Sequence, residues 1–398
     1  MNICPNCGDA ATETFYEVGP IPSHSCLLVD TVEEAMEFPR APLQIAVCNT
    51  CGFIFNRLYD ANLKDYKPTY EETQHFSSHF SSFAKSLAQR WIDDYGLRGK
   101  HILEIGCGKG EFLQLICQLG DNRGTGIDPT CIPERLEEDG RQRIDFMREY
   151  YGPQHAALQA DAILCRHTLE HIPNTMEFLA QIRETLGDNT DVTLLFELPD
   201  TTRILHECAF WDMYYEHCSY FCAGSLARLF RLTGFDVIEL ERVYDEQYLI
   251  LAAKPSKAPT QPNLAIEDDL AETLAAAQTF KDSIGQVTST WKQQVDELSQ
   301  KGRTIIWGSG SKSVSFLTTL GLTEQIEYLI DINPHKSGKF QPGGKQPICS
   351  PDQVRQAPPD AVVVMNPVYE KEIRQALAKR NCHPQIVCLD ALDSVQAS

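Results

Sequence analysis

From His101 to Gly120 the chain reads HILEIGCGKGEFLQLICQLG, an apolar strand, a turn with glycine at 106, 108 and 110, and an amphipathic stretch of helix length. Glycine lets the backbone turn tightly and approach a ligand closely, and Glu104 stands at the end of the strand. Next, GTGIDPT forms a second short strand ending in Asp128, where an acid can accept both hydroxyls of a ribose. The glycine pattern by itself would suit a dinucleotide equally well.

The rest of the middle region keeps the same rhythm. ADAILCRHTLEHIP reads as a strand over Ala162–Cys165 opening into a turn or helix with His167, Glu170 and His171. DVTLLFELP, GFDVIELERV and YLILAAKP supply further strands. Alternating strands and helices predict an α/β fold with a doubly wound sheet, whose ligands sit beyond the carboxyl ends of the strands. His167, His171 and Glu197 all fall near that edge.

Length and composition bound the rest. A chain of 398 residues exceeds one compact core and is expected to divide into three domains. It is 42% hydrophobic and 23% charged, and it holds no apolar run long enough to cross a bilayer. The polar start MNICPNCGDA is unlike a secretory signal, so a cytoplasmic protein is expected. A formal charge of −20 repels nucleic acid and leaves a small molecule as the expected partner. Fifteen scattered cysteines fit a reducing compartment better than a disulfide scaffold.

Four of those cysteines have a pattern. CPNCG and CNTCG place Cys4, Cys7, Cys48 and Cys51 in two Cys-x-x-Cys knuckles, each followed by glycine. Two such pairs supply four thiolates to a tetrahedral structural Zn2+, with no position left for water. His24 and Cys26 are weaker additional ligands, and incidental buried thiols are the competing reading.

Phe210–Phe221, FWDMYYEHCSYF, crowds a carboxylate, an imidazole and several phenols together. Aromatic residues at this density often simply pack, whereas Glu216 beside His217 suggests a proton-handling site. In DYKPTYEETQHFSSHFSSFAKSL, residues 65–87, Tyr70, Gln74, His75 and His79 are candidates to line a pocket. A helix there would put Phe76, Phe80 and Phe83 on a core-facing stripe.

A proline-rich boundary between Lys254 and Leu264 precedes a long helical stretch to about Gln300, expected to pack between domains. TIIWGSGSKSVSFLTTLGL then repeats the strand, glycine turn and helix, and a second strand ends in Asp331. Ser313 occupies the position of the third glycine, which weakens a dinucleotide reading. Lys312, Lys336, Lys339 and Lys345 form a plausible phosphate-facing patch, or a solvated surface.

With Glu104 before the glycines, E-x-G-x-G-x-G resembles motif I of class I S-adenosylmethionine-dependent methyltransferases. Taken whole, the chain resembles the zinc-containing C-methyltransferases that act on nucleotide-linked keto-deoxysugars. That resemblance implies a zinc module (1–60), a helical segment over the active site (61–98), a class I core (99–254) and a long helix with a second Rossmann-like domain (263–398). It implies S-adenosylmethionine held by Glu104, Gly106, Gly108, Gly110, Asp128 and His167. It also implies catalysis by His217 as base, with Glu216 orienting it and Tyr214 and His171 serving the acceptor. The carboxy-terminal domain would hold the acceptor's nucleotide portion. Tyr215 departs from the histidine expected before the Glu-His pair, which leaves open an acceptor other than a sugar. Methyl transfer to oxygen or nitrogen of another small metabolite is the alternative, and a binding protein on the same scaffold ranks lower.

Overall fold

A computed structural model describes residues 3–63, 65–257 and 260–390. Ala258 and Pro259 of the expected boundary and the last eight residues lie outside the described residues. The strands, in chain order, are β1 (Thr12–Pro22), β2 (Arg40–Cys48), β3 (Ile54–Asn56), β4 (His101–Ile105), β5 (Arg123–Ile127), β6 (Ile144–Met147), β7 (Ala162–Arg166) and β8 (Thr193–Pro199). They continue with β9 (Ser219–Tyr220), β10 (Phe235–Val243), β11 (Tyr248–Pro255), β12 (Thr304–Trp307), β13 (Leu329–Ile330), β14 (Ile348–Cys349), β15 (Ala361–Val364) and β16 (Gln385–Cys388).

These strands form three sheets. The largest has the order β10-β11-β8-β7-β4-β5-β6, parallel from β8 to β6, with β11 antiparallel to both its neighbours. Strands such as β7 and β8 are buried on both faces, which explains their near-continuous apolar runs. This is the class I methyltransferase core implied by the sequence. The second parallel sheet, β14-β13-β12-β15-β16, follows carboxy-terminally.

The amino-terminal sheet, β1-β2-β3-β9, is antiparallel and borrows its last strand from elsewhere. Ile54 pairs with Tyr220 and Phe55 with Ser219, so the aromatic block is stitched to the cysteine module. The helix Leu270–Lys301 packs against β1, the helix Thr201–His206 and the helix Ser311–Leu320. Its Phe280 is fully buried edge-on to Phe15 and Tyr16, and Trp291 meets Trp211. Each such ring contributes about 2–3 kcal/mol by burial alone, so this helix joins all three units rather than merely linking them.

The helix Ser78–Tyr95 begins where the Ser77 hydroxyl accepts the Phe80 N–H and ends at Gly96 in a left-handed conformation. It buries Phe80, Ala84, Leu87, Ala88, Trp91 and Ile92, one stripe at helical spacing. Phe83 packs partly against the same cluster. Phe76 corrects the expected stripe: it precedes the cap, outside the helix, and is 43% exposed.

Candidate active site

A cavity of about 760 Å³ opens where the core strands end, between the segment 66–80, the aromatic block and the second parallel unit. Its volume is in the range of small-molecule sites. One wall is the first glycine turn. Gly106 has φ of 72°, and a Cβ there would lie 2.0 Å from Thr168 Oγ1, so only glycine permits the turn to pack against β7's following loop. Gly108 borders the cavity, and its N–H donates to Asp128 Oδ2 at 3.0 Å. Gly110 lies at the helix start instead, against Phe146.

Glu104 is buried at the cavity wall, and its Oε2 has no hydrogen-bond partner. Burial pushes its pKa up to about 8, although nearby Arg166 favours the ionised form. An unmatched acceptor beside a glycine turn fits the amino group of S-adenosylmethionine, and Asp128 fits its ribose. His167, at φ 48°, bonds Glu197 Oε1 at 3.1 Å and lies 3.7 Å from Glu170. Burial opposes its protonation, but the carboxylates outweigh it and raise its pKa to about 9.

Lys109, missed in the sequence, is fully buried and donates to the carbonyls of Tyr70 (2.7 Å) and Thr130 (3.0 Å). It thereby ties the glycine turn to the segment that covers the cavity. Along that segment, Tyr70, Gln74 and His75 border the cavity. His79 turns instead toward Tyr244 and Tyr369.

The opposite wall holds Tyr214, His217 and His171. The His217 ring lies 4.2 Å from that of Tyr214 and 4.7 Å from that of His171. Burial first, then the positive potential of His171, His167 and Lys312, holds its pKa well below the usual histidine value, so the imidazole is neutral. His171 Nδ1 is 2.7 Å from the Tyr66 hydroxyl and 3.1 Å from the Glu216 carbonyl. Burial raises the Tyr214 phenol well above its ordinary value, so it remains a proton donor.

Glu216 is placed differently from the orienting role implied for it. Its carboxylate sits behind the wall and takes hydrogen bonds from Ser25 N–H (3.1 Å), the Ser25 hydroxyl, the Tyr70 hydroxyl (2.9 Å) and His24 Nδ1 (3.2 Å). His24 Nε2 accepts the Asp65 N–H at 2.9 Å, which fixes the proton on Nδ1. Burial opposes ionisation of Glu216, yet His24 and Ser25 lower its pKa below the ordinary carboxylate value. His24 and Cys26, weaker metal ligands by sequence, thus belong here: Cys26 Sγ is 3.5 Å from Ser311 Oγ. Tyr215 points away from the cavity, its hydroxyl accepting the Asp60 N–H at 2.8 Å.

The second glycine turn closes the cavity with Gly308, Ser309, Gly310 and Lys312. Lys312 pairs with Asp212, which also binds Arg203 at 2.6 Å. Lys336 is buried, donating to the Ser309 carbonyl at 2.6 Å and lying 3.2 Å from Asp331. Two of the four expected lysines do not face this site: Lys339 pairs with Asp30 and Lys345 with Glu324 at the surface. All four lysines are ion-paired, and what separates Lys312 and Lys336 is that they border the cavity.

Away from the cavity, Cys4, Cys7, Cys48 and Cys51 bring their sulfurs within 4.8 Å of one another, with Cys4–Cys51 and Cys7–Cys48 each at 3.6 Å. A tetrahedral zinc with Zn–S bonds of about 2.3 Å needs sulfurs about 3.8 Å apart, so the four thiols fit the ion. Burial, opposed by a backbone hydrogen bond and reinforced by neighbouring thiols, pushes Cys7 up to about 12, so the thiol keeps its proton until a cation displaces it.

Two family models match in tandem: a methyltransferase domain over residues 79–240 and a C-methyltransferase C-terminal domain over residues 251–385. The C-methyltransferase NovU of Streptomyces niveus is 26% identical over 395 residues, covering 93% of this chain and 90% of that protein. The chain is a class I S-adenosylmethionine-dependent C-methyltransferase. The ubiquinone biosynthesis O-methyltransferase of Pseudomonas aeruginosa is 34% identical over 96 residues, but these span 22% of this chain and 40% of that enzyme. Among solved structures, the 1,6-didemethyltoxoflavin-N1-methyltransferase of Burkholderia thailandensis aligns over 52% of this C-methyltransferase and 96% of its own chain, at 17% identity and a TM-score of 0.35. No helix among the described residues is long and apolar enough to cross a membrane.

Proposed function

We propose that the methyl acceptor is a nucleotide-linked keto-deoxysugar, or a related ketone, and that His217 removes the proton from the carbon beside its carbonyl. The observation that carries this reading is the neutral, buried imidazole of His217 in one cavity with both glycine turns. Glu104, Gly106, Gly108, Asp128 and His167 would hold S-adenosylmethionine, which supplies an electrophilic methyl on a sulfonium.

Carbon next to a ketone is a nucleophile only after deprotonation, so the protein has to furnish a base and a donor for the enolate oxygen. A free ring nitrogen of His217 accepts the proton as the C–H bond breaks. The electron pair left behind then makes the new carbon–carbon bond. Tyr214, kept as a phenol, and His171, oriented by Tyr66, serve the developing oxygen charge. Glu216 acts at one remove: it fixes Tyr70, Ser25 and His24 in place rather than polarising the base. Lys312, Lys336 and the start of the helix Ser311–Leu320 suit the acceptor's phosphates. The four cysteines hold zinc structurally, because no coordination position remains for substrate.

The test is solvent exchange. With S-adenosylhomocysteine replacing the methyl donor, wild-type protein in deuterium oxide is expected to exchange the proton beside the ketone, and His217→Ala is expected not to. Exchange that persists in His217→Ala removes the base assignment. No exchange by wild type with any keto-sugar nucleotide would favour transfer to oxygen or nitrogen.

A further inference from the structure

We propose that Glu170, His171 and His217 form a second divalent-metal site, distinct from the four-cysteine cluster, whose occupation by a borderline cation such as Zn2+ shuts off the enzyme. One ligand atom from each of the three residues lies within 4.8 Å of the other two. All three line the cavity, so a cation has an entry path and open positions facing the acceptor. The independent observation is Glu170 Oε2: the residue is 3% exposed, and this oxygen has no hydrogen-bond partner. A buried carboxylate oxygen left unmatched is costly, and two imidazoles with one carboxylate are a ligand set that zinc accepts.

The distances are close to what is needed. Bonds of about 2.1 Å to nitrogen and oxygen place ligand atoms about 3.4 Å apart, so binding would draw the three ligand atoms inward from a spacing of at most 4.8 Å. Neutral His217 has a lone pair to give without first losing a proton. One carboxylate against a dication leaves the assembly charged +1, to which protonated His167, 3.7 Å from Glu170, adds and which ionised Glu216 behind the wall and Glu197 beside His167 offset.

Binding rests on the geometry alone, while inhibition rests on His217 being the base: a ring nitrogen bonded to metal has no lone pair for the substrate proton. Metal and ketone would also compete for the same space. Affinity is expected to follow Zn2+ above Co2+ above Mn2+, with Mg2+ ineffective because it requires oxygen ligands in octahedral order.

The experiment titrates untagged, zinc-loaded full-length protein with Co2+, following absorption and methyl transfer together. The expected result is one added Co2+ per chain with visible bands but no thiolate-to-cobalt charge-transfer band, and loss of turnover that a chelator reverses. Glu170→Gln is expected to weaken that binding at least about tenfold, and His171→Gln to do the same, with retained S-adenosylhomocysteine binding certifying the fold. Absence of the added Co2+, or binding unchanged in both variants, overturns the site and leaves the base assignment untouched. Binding that leaves turnover intact overturns the inhibitory role and, with it, His217 as the base.

Discussion

The two glycine turns of this molecule are built alike and charged differently. In each, an acid after the neighbouring strand accepts a backbone N–H of the turn at 3.0 Å: Asp128 from Gly108 and Asp331 from Ser309. The first turn has Glu104 two residues before its first glycine, where the second has Ile306. Asp128 carries no ammonium, whereas Asp331 is matched by Lys336. In the proposed function the first turn, with Glu104 and Asp128, takes the cationic, hydroxylated cofactor, and the second, where Lys312 and Lys336 are held by Asp212 and Asp331, takes the acceptor's phosphates. On that proposal, a shared topology with different side chains brings two ligands into one cavity from opposite walls.

The sharpest way to break this picture is at the base that lies between the two. His217→Ala is expected to cut turnover by about 10²–10⁴-fold, the usual worth of a positioned base, while leaving the affinity for S-adenosylhomocysteine nearly unchanged in calorimetry. A matching loss of cofactor affinity would instead mean that the residue supports the fold of the cofactor wall.

The turns themselves should respond separately. Replacing Glu104 by Gln removes the buried carboxylate and is expected to weaken cofactor binding by about 10- to 100-fold, the range of a hydrogen bond to a charged group, with acceptor affinity unaffected. Lys312→Gln should raise the acceptor's KM by about tenfold on the same grounds, leaving the cofactor dissociation constant alone. Cross-effects of similar size would dissolve the distinction between the walls.

Much of the first glycine turn and its sheet was legible because the signals are local: glycines at fixed offsets, an acid at the end of the next strand, and alternation of apolar runs. The cysteine knuckles were readable for the same reason. The acceptor wall was not, since its contacts join residues far apart in sequence. His24 meets Glu216 across 192 positions and Ser25 meets Ser311 across 286. No spacing announces that the two-residue strand Ser219–Tyr220 completes the amino-terminal sheet. Adjacency misled at Glu216, whose neighbour in sequence is His217 but whose partners come from two other segments.

That stitching has its own consequence. Cys4→Ser with Cys7→Ser is expected to abolish the cysteine-bound zinc, read by metal analysis after a chelator wash that empties the cavity site, and to lower turnover together with thermal stability, because β3 carries β9 and the aromatic block with it. Zinc content that survives both the double replacement and the chelator wash would refute the four-cysteine site.

The smallest expected effect is on pH dependence. His217, and His75 at about 4, titrate below the ordinary histidine value, His75 through burial and then Arg166. The unfolded chain therefore binds protons that the folded chain does not. The contribution of these two histidines to stability should be full above about 6.5 and decline as pH falls from there toward 4, whereas Glu104 and His167, raised to about 8 and about 9, act in the opposite sense and lose their contribution as pH rises. Denaturant titrations across that window should show a shallower decline in His217→Gln, whereas an identical slope would mean the ring is already protonated when folded.

Sequential calorimetry addresses the central claim most directly: S-adenosylhomocysteine first, then a nucleotide-linked keto-sugar added to the saturated protein. The account predicts that both bind, each at one site per chain, with Glu104→Gln weakening only the first and Lys312→Gln only the second. Cofactor binding with no uptake of any sugar nucleotide would contradict the assignment of the lysine-bearing turn to the acceptor.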